Sequence, residues 1–318
     1  MRGRGGLLLL LGSALAALAL SLSCGGGGGK HGQTILVIDQ NLLHGILNED
    51  PQAEPFDRFK ERIQVTADRL GEAKPDIITL QEVNEAGKGD PAYGDVRAVL
   101  LAALGPEYTA LFGDIVGSPM DTGSLGQMTL TRLPIVSSEN HHIGGVRSVH
   151  RVTVRAEDGT LIDIYNAHLE GTGAIIDVTQ DQSVVEINNV IDFIKTTRSG
   201  TGPVILDGDL NALPDDPSIQ RLLDEGFIDV LATGGDATCD QAGDPGCTNS
   251  ALPLGDNPTN TADHRIDYIW TLPGTDASFA IKSAALFGNT PADIGGGHTL
   301  WASDHIGVQA TLELKQED

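Results

Sequence analysis

Residues Pro203–Ala212 read PVILDGDLNA, and the rest of the chain is best read outward from them. Val204, Ile205 and Leu206 form a short apolar run of the kind buried within a sheet. Polarity then rises sharply at Asp207-Gly208-Asp209-Leu210-Asn211, where a glycine frees the backbone. Side chains alternate along an extended chain, so the carboxylate at 209 and the amide at 211 can aim at one point. Together they can bind a divalent cation, orient a water or hold a phosphate oxygen. A polar turn after a strand, with Asp and Asn serving the turn itself, explains the same residues. The flanking sequence breaks the tie.

The same pattern recurs on both sides. Thr34–Ile38 (TILVI) ends in Asp39-Gln40-Asn41, Asp76–Leu80 (DIITL) runs into Gln81-Glu82, and Leu161–Asn166 (LIDIYN) ends at His168. Arg265–Trp270 (RIDYIW) contains Asp267, and Ser303-Asp304-His305 opens an alternating run to Leu314. Further short strands are expected around Tyr108–Phe112, Gln127–Thr131, Ile135–His141, Val149–Arg155 and Phe279–Leu286. Helical spacing marks Phe56, Phe59, Ile63, Ala67 and Leu70, then Val96, Val99, Leu100 and Ala103, then Val184, Ile187, Ile191 and Ile194. A small helix is expected near Ile219–Leu223, and Thr233–Asp263 reads as a long loop. Helices alternate with strands early and strands dominate later, which predicts an α/β sandwich with helices outside a mixed sheet pair. Asn41, Glu82, His168, Asp209, Asn211, Asp267 and His305 all stand at or just beyond strand runs. Strand ends are where α/β proteins place ligands.

Composition sets the surroundings. Arg2 and Arg4 precede an apolar run from Leu7 to Leu20, followed by Ser21-Leu22-Ser23-Cys24 and five glycines. Residues 1–24 read as a signal peptide. Cys24 resembles the lipid-modified cysteine of bacterial lipoproteins, with 25–33 as a flexible tether. The expectation is an exported, membrane-anchored lipoprotein, periplasmic or at the cell surface, with plain secretion as the alternative. Cys239 and Cys247 then remain as an even pair in an exported chain, which predicts a disulfide over a two-cysteine metal site. Residues 34–314 suit one large domain, expected to be monomeric. The chain has 20 Lys+Arg against 44 Asp+Glu, a formal charge of −24, with no basic run. That balance argues against a duplex-DNA binder, whose affinity rests largely on Lys and Arg.

Six ordered motifs carry a family resemblance: Asn41-Leu-Leu-His-Gly, Leu80-Gln-Glu82-Val, Tyr165-Asn-Ala-His168-Leu, Gly208-Asp209-Leu-Asn211, Arg265-Ile-Asp267-Tyr and Ser303-Asp304-His305. In these the chain resembles the endonuclease/exonuclease/phosphatase superfamily, which includes deoxyribonucleases, bacterial sphingomyelinases and inositol polyphosphate 5-phosphatases. The resemblance spans about Thr34 to Leu314. It implies a four-layer αββα sandwich of two packed mixed sheets with outer helices. It also implies a metal-dependent phosphoesterase that attacks phosphodiesters or phosphomonoesters with an activated water. An anionic ester needs charge neutralisation, a hard cation and a proton acceptor. Glu82 suits magnesium, with manganese or calcium as alternatives, and the resemblance adds Asn41 and Asp304 beside the metal. Asp209 and Asn211 would orient the water and the phosphate, and His168 would bond a phosphate oxygen from the opposite side. His305, oriented by Asp267, suits proton transfer or charge stabilisation. Either Asp209 or His305 could take the water's proton.

Taken singly, each residue has a plainer reading. Glu82 or Asp304 could cap a turn, His168 could be a satisfied strand-edge histidine, and Asp267 could be a partner of Arg265. Asp207, Asp229 and Gln127 are candidates for a place behind the site. His44, His141, His142, His264 and His298 are expected to be structural or at the surface. Two family features are missing: an arginine within Val178–Gln182, and the abasic-site enzymes' tyrosine motif, replaced by Glu170-Gly-Thr-Gly. The sphingomyelinases' exposed aromatic hairpin is not evident either. The expected substrate is a lipid headgroup, a nucleotide or another phosphate ester. The rivals are a secreted endonuclease acting on DNA or RNA, and a catalytically silent surface-binding module.

Overall fold

In β1 (Thr34–Asn41), Ile35 and Val37 pack in one apolar cluster and Ile38 in another, so alternate side chains enter different layers. The computed structural model describes residues 32–43, 56–84, 95–114, 125–170, 180–249 and 254–317, all within the unit Gly32–Asp318. The expected signal peptide, Cys24, most of the glycine tether, His44 and Val178–Thr179 lie outside the described residues.

The chain continues through α1 (Phe56–Ala73), β2 (Ile77–Asn84), α2 (Val96–Leu104), β3 (Thr109–Asp114), β4 (Leu125–Thr131), β5 (Ile135–Gly144), β6 (Arg147–Arg155) and β7 (Leu161–His168). Next come α3 (Gln180–Thr197), β8 (Val204–Asp209), α4 (Pro217–Asp224), β9 (Ile228–Asp229), α5 (Val230–Gly234), β10 (Asp267–Leu272), β11 (Ala277–Phe287), β12 (Ala292–Gly295), β13 (His298–Leu300) and β14 (Gly307–Gln316). One sheet runs β11-β14-β1-β2-β4-β3 and the other β5-β6-β7-β8-β10-β9. Each holds one parallel pair, β1–β2 and β7–β8, amid antiparallel neighbours. Parallel neighbours need a crossover, and a helix lies between the strands of each pair: α1 in one, α3 in the other. The two sheets therefore repeat one plan, although the sequence shows no repeat.

Three apolar layers follow. Phe59, Ile63, Ala67 and Leu70 of α1 and Val96, Leu100 and Leu104 of α2 pack on Ile38, Ile78, Leu80, Met128 and Leu130. Ile187, Val190, Ile191 and Ile194 of α3, with Ile219 and Leu222 of α4, pack on Val204, Leu206, Tyr165 and Trp270. Between the sheets lie Ile35, Val37, Ile77, Ile162, Ile164, Ile205, Ile269 and Val308. Each such buried aliphatic side chain stabilises the fold by about 1.5–3 kcal/mol relative to exposure. The αββα sandwich is thus present, with both sheets mixed.

The inter-sheet face changes character along each strand. Ile205 is followed two residues on by Asp207 and then Asp209, and Val37 by Asp39 and then Asn41, all buried. The apolar core gives way to a buried polar layer and then to a polar mouth. Cys239 and Cys247 are bridged. The Thr233–Asp263 segment begins inside α5, a helix the sequence reading missed, and the β12–β13 hairpin before Ser303 was missed too. Its partly exposed apolar residue is Ile294, an aliphatic rather than an aromatic.

Candidate active site

Asp209 lies at the end of β8, where the next two strand ends converge on it. Gly208 allows this, because its φ is +133° and a Cβ there would stand 1.9 Å from the Ala167 carbonyl oxygen. Register places Asp209 beside His168 on β7 and beside Asp267 on β10. Asp209 Oδ2 accepts from Asn41 Nδ2 at 3.0 Å. It lies 3.5 Å from His168 Nε2 and 3.8 Å from His305 Nε2. Asp209 Oδ1 accepts from the Asn211 backbone N–H at 2.9 Å. Burial first, then the charges of Asp267 and Glu82, push Asp209 up to about 7 against the opposing pull of His305.

Glu82 reaches the same point through a bulge. Leu80 pairs with Met128 and Val83 with Gly126, so Gln81 and Glu82 together face Gln127. Glu82 takes a φ of +52° there. Its Oε1 accepts from Asn41 Nδ2 at 3.1 Å and lies 4.0 Å from His168 Nε2. Asn41 turns its amide nitrogen to the two carboxylates, while its Oδ1 accepts from the Leu43 N–H at 2.9 Å. Asn211 donates through Nδ2 to the Leu169 carbonyl at 2.9 Å.

His305 sits ahead of β14 with Nδ1 3.0 Å from both oxygens of the fully buried Asp267. Asp304 Oδ1 is 4.0 Å from His305 Nε2. Burial alone would lower the His305 pKa, but Asp267, then Asp209 and Asp304, hold it well above the ordinary value. Burial raises the Asp304 pKa.

All eight residues singled out in the sequence therefore meet at one end of the sandwich. Asp267 bonds His305, while Arg265 pairs instead with Asp229, which also caps α5. Asp229 thus stands away from the site, whereas Asp207 and Gln127 line the layer beneath it. His264 and His298 pair at the surface with Asp263 and Asp256, and His141 stacks on Phe193.

Two further residues were not anticipated. Arg147, the first residue of β6, places Nη1 3.0 Å from each His168 ring nitrogen and is braced by Glu170 at 2.8 Å. It brings a guanidinium to His168 from the neighbouring strand, whereas the family resemblance implies an arginine after β7. Its signal was an arginine just after Gly144-Gly145, where a strand begins. Thr248, next to the disulfide, accepts at Oγ1 from the Ile266 and Asp267 N–H groups, each at 3.1 Å. Its carbonyl accepts from Ile306 N at 2.6 Å. Thr248 thereby ties the backbone of Asp267 to that of Ile306, the residue after His305.

A cation would find suitable donors here. One atom each from Glu82, His168 and Asp209 lie within 4.8 Å of one another, as do atoms from Asp209, Asp267 and His305. Carboxylate oxygens suit a hard divalent ion.

Comparison with known proteins places the fold and the family. The chain is 27% identical over 182 residues to a Drosophila melanogaster protein assigned as a neutral sphingomyelinase. That match covers 52% of this chain and 38% of the fly protein. Among solved structures, a Bacteroides thetaiotaomicron mannosyl-6-phosphatase superposes with a TM-score of 0.63 at 18% identity, covering 88% of this chain and 99% of that one. D. rerio TDP2 complexed with single-strand DNA product superposes with a TM-score of 0.62 at 20% identity, covering 88% and 99%. At those identities the structures speak to the fold. The family model covers residues 40–305, and the chain belongs to the endonuclease/exonuclease/phosphatase family.

Proposed function

We propose that this protein is an exported, metal-dependent phosphoesterase that cleaves a P–O ester bond by in-line attack of water. One observation carries the reading: Asp209 Oδ2 stands between two imidazoles, 3.5 Å from His168 and 3.8 Å from His305. Asp267 lies behind His305. A carboxyl held near 7 is matched to accepting the attacking water's proton at neutral pH. His305, kept cationic by Asp267, faces the charge that develops on the phosphoryl oxygens. His168, with Arg147 beside it, supplies donors from the opposite side. Asn211 would orient the phosphate.

Glu82 is the principal ligand we assign to magnesium or a similar hard ion, with Asn41 and Asp304 beside it. Bound there, the ion would neutralise phosphate charge and polarise the scissile bond. Asn41 would present Oδ1 to it and release the Leu43 N–H. A silent binding module has no need of a cationic histidine braced by a buried carboxylate, so the enzyme reading is preferred. The preferred substrates present one phosphate, such as a lipid headgroup or small ester, and the fly relative's assignment agrees. The chain acts as a monomer anchored through lipid on Cys24.

The test is turnover of sphingomyelin, phosphoinositides, bis-p-nitrophenyl phosphate, DNA and RNA with magnesium, with and without chelator. Glu82→Gln should keep the fold and lower activity by about two orders of magnitude or more. Near-normal turnover in that variant would sink the metal assignment. A folded chain inert on every substrate would sink the enzyme reading.

A further inference from the structure

One layer below the mouth, two acids from opposite sheets lie fully buried, Asp39 on β1 and Asp207 on β8. Asp39 is level with Thr79 and, through it, Thr129. Asp207 is level with Asn166 and, through it, His150. Donors in this layer are few and already used. Thr79 gives its hydroxyl proton to Asp39 Oδ1 at 3.0 Å. Gln81 Nε2 donates to Asp39 Oδ1 at 2.7 Å and to Asn166 Oδ1 at 2.9 Å, across the sheets. Asn166 Nδ2 is committed to the Leu80 and Met128 carbonyls. Thr79 also acts on Asp207, but its hydroxyl proton is given to Asp39, and four oxygens are left without a donor of their own: Asp39 Oδ2, both oxygens of Asp207, and Gln81 Oε1.

Charge is equally unbalanced. The charged groups acting on Asp39 are Asp207 and Asp267, both acids. His150, pushed down to about 4 by burial, stays neutral and offers no cation. An uncompensated buried carboxylate costs several kcal/mol, and here there are two. A single shared proton would reach two of the four orphaned oxygens. One small cation held between the acids would supply the positive partner that this layer lacks.

We propose that Asp39, Asp207 and Gln81 wall a buried site for one hard divalent cation, such as magnesium or calcium, joining the two sheets beneath the active site. The donors are all oxygens, which selects against soft ions, and two carboxylates match a charge of +2. The Gln81 amide is an independent pointer, because its nitrogen already grips Asp39 while its buried oxygen finds no donor. The site is enclosed, so the ion enters as the sheets close and leaves when they part. It shares no residue with the Glu82 cluster, and the proposal stands apart from the catalytic reading.

The test separates the two sites. The full chain carrying Glu82→Gln, with the mouth ligand removed, is unfolded in denaturant with chelator. It is then refolded in magnesium, in calcium, or without divalents. After gel filtration, bound metal per chain is measured by mass spectrometry and thermal stability by circular dichroism. The expected result is about one tightly held equivalent and a Tm about 5–10 °C above the metal-free chain. Asp207→Asn and Asp39→Asn in the same background should each lose the equivalent. No retained metal in the Glu82→Gln chain, with one Tm in all three buffers, overturns the site and leaves the acids protonated. That measurement decides the matter even if neither asparagine variant folds.

Discussion

Asp267→Asn isolates the charge that holds His305. Asp267 is fully buried with both oxygens 3.0 Å from Nδ1, whereas Asp209 and Asp304 lie 3.8 and 4.0 Å from Nε2. At about 4 Å and an effective dielectric near 20, one such pair is worth about 4 kcal/mol. Asparagine keeps an oxygen to accept the Nδ1–H, so the His305 pKa should fall toward the ordinary imidazole value while Asp209 and Asp304 still hold part of the rise. Stability moves with it. A histidine whose folded pKa lies above its unfolded value adds stability that is complete below about pH 6.5 and lost as pH rises through the folded pKa. The variant should lack that pH-dependent increment. The assay is an NMR titration of the His305 imidazole in the metal-free chain, paired with kcat/KM for both single variants and the double. Asp267→Asn should lower turnover about 10²–10⁴-fold. Asp267→Asn/His305→Ala should be little worse than His305→Ala, because Asp267 acts through the histidine. An unshifted imidazole pKa, or losses that multiply in full, would refute the reasoning.

Three other outcomes are expected. Arg147→Met should raise KM by about tenfold or more with a smaller change in kcat, and Arg147→Lys should recover only part of it; an unchanged KM would remove Arg147 from substrate binding. Cys24→Ser should move the protein from the detergent phase to the aqueous phase, and unchanged partitioning would exclude lipidation. Per scissile bond at fixed ionic strength, small phosphodiesters or lipid headgroups should be cleaved more efficiently than plasmid DNA. If plasmid wins by about tenfold and its rate falls steeply with salt, the charge argument is wrong and the protein is a secreted nuclease.

The strand ends were legible because a buried strand must be apolar until its side chains leave the core. The switch from Val-Ile-Leu to Asp-Gly-Asp therefore marks a physical boundary. Seven residues read that way converge in space, with Asp304, which the family resemblance adds, beside them. Arg147 and Thr248 were not legible in the same manner. Arg147 stands at the start of a strand, where a surface arginine is ordinary. Only pairing of β6 with β7 brings it to His168. In the repeated plan of the two sheets it occupies the place that His305 holds ahead of β14, a relation kept by hydrogen-bond topology rather than by residue identity. Thr248 acts through its hydroxyl and carbonyl on main-chain N–H groups, and such bonding leaves no pattern in sequence. The acids at 39 and 207 looked like continuations of the polar strand ends. Their burial between two sheets depends on a pairing that no local window contains.

Glu82 at φ +52°, Leu43 at +51° and Asn211 at +47° share an uncommon backbone region at the rim of the site. Asparagine tolerates it, but leucine and glutamate do so less readily, at a cost of order 1 kcal/mol or more each. Glycine at 43 or 82 would relieve that cost at once. Leucine at 43 and glutamate at 82 therefore hold the rim in place at the expense of the fold, so the mouth of this site is a local weak point in the stability of the two strand ends that carry it.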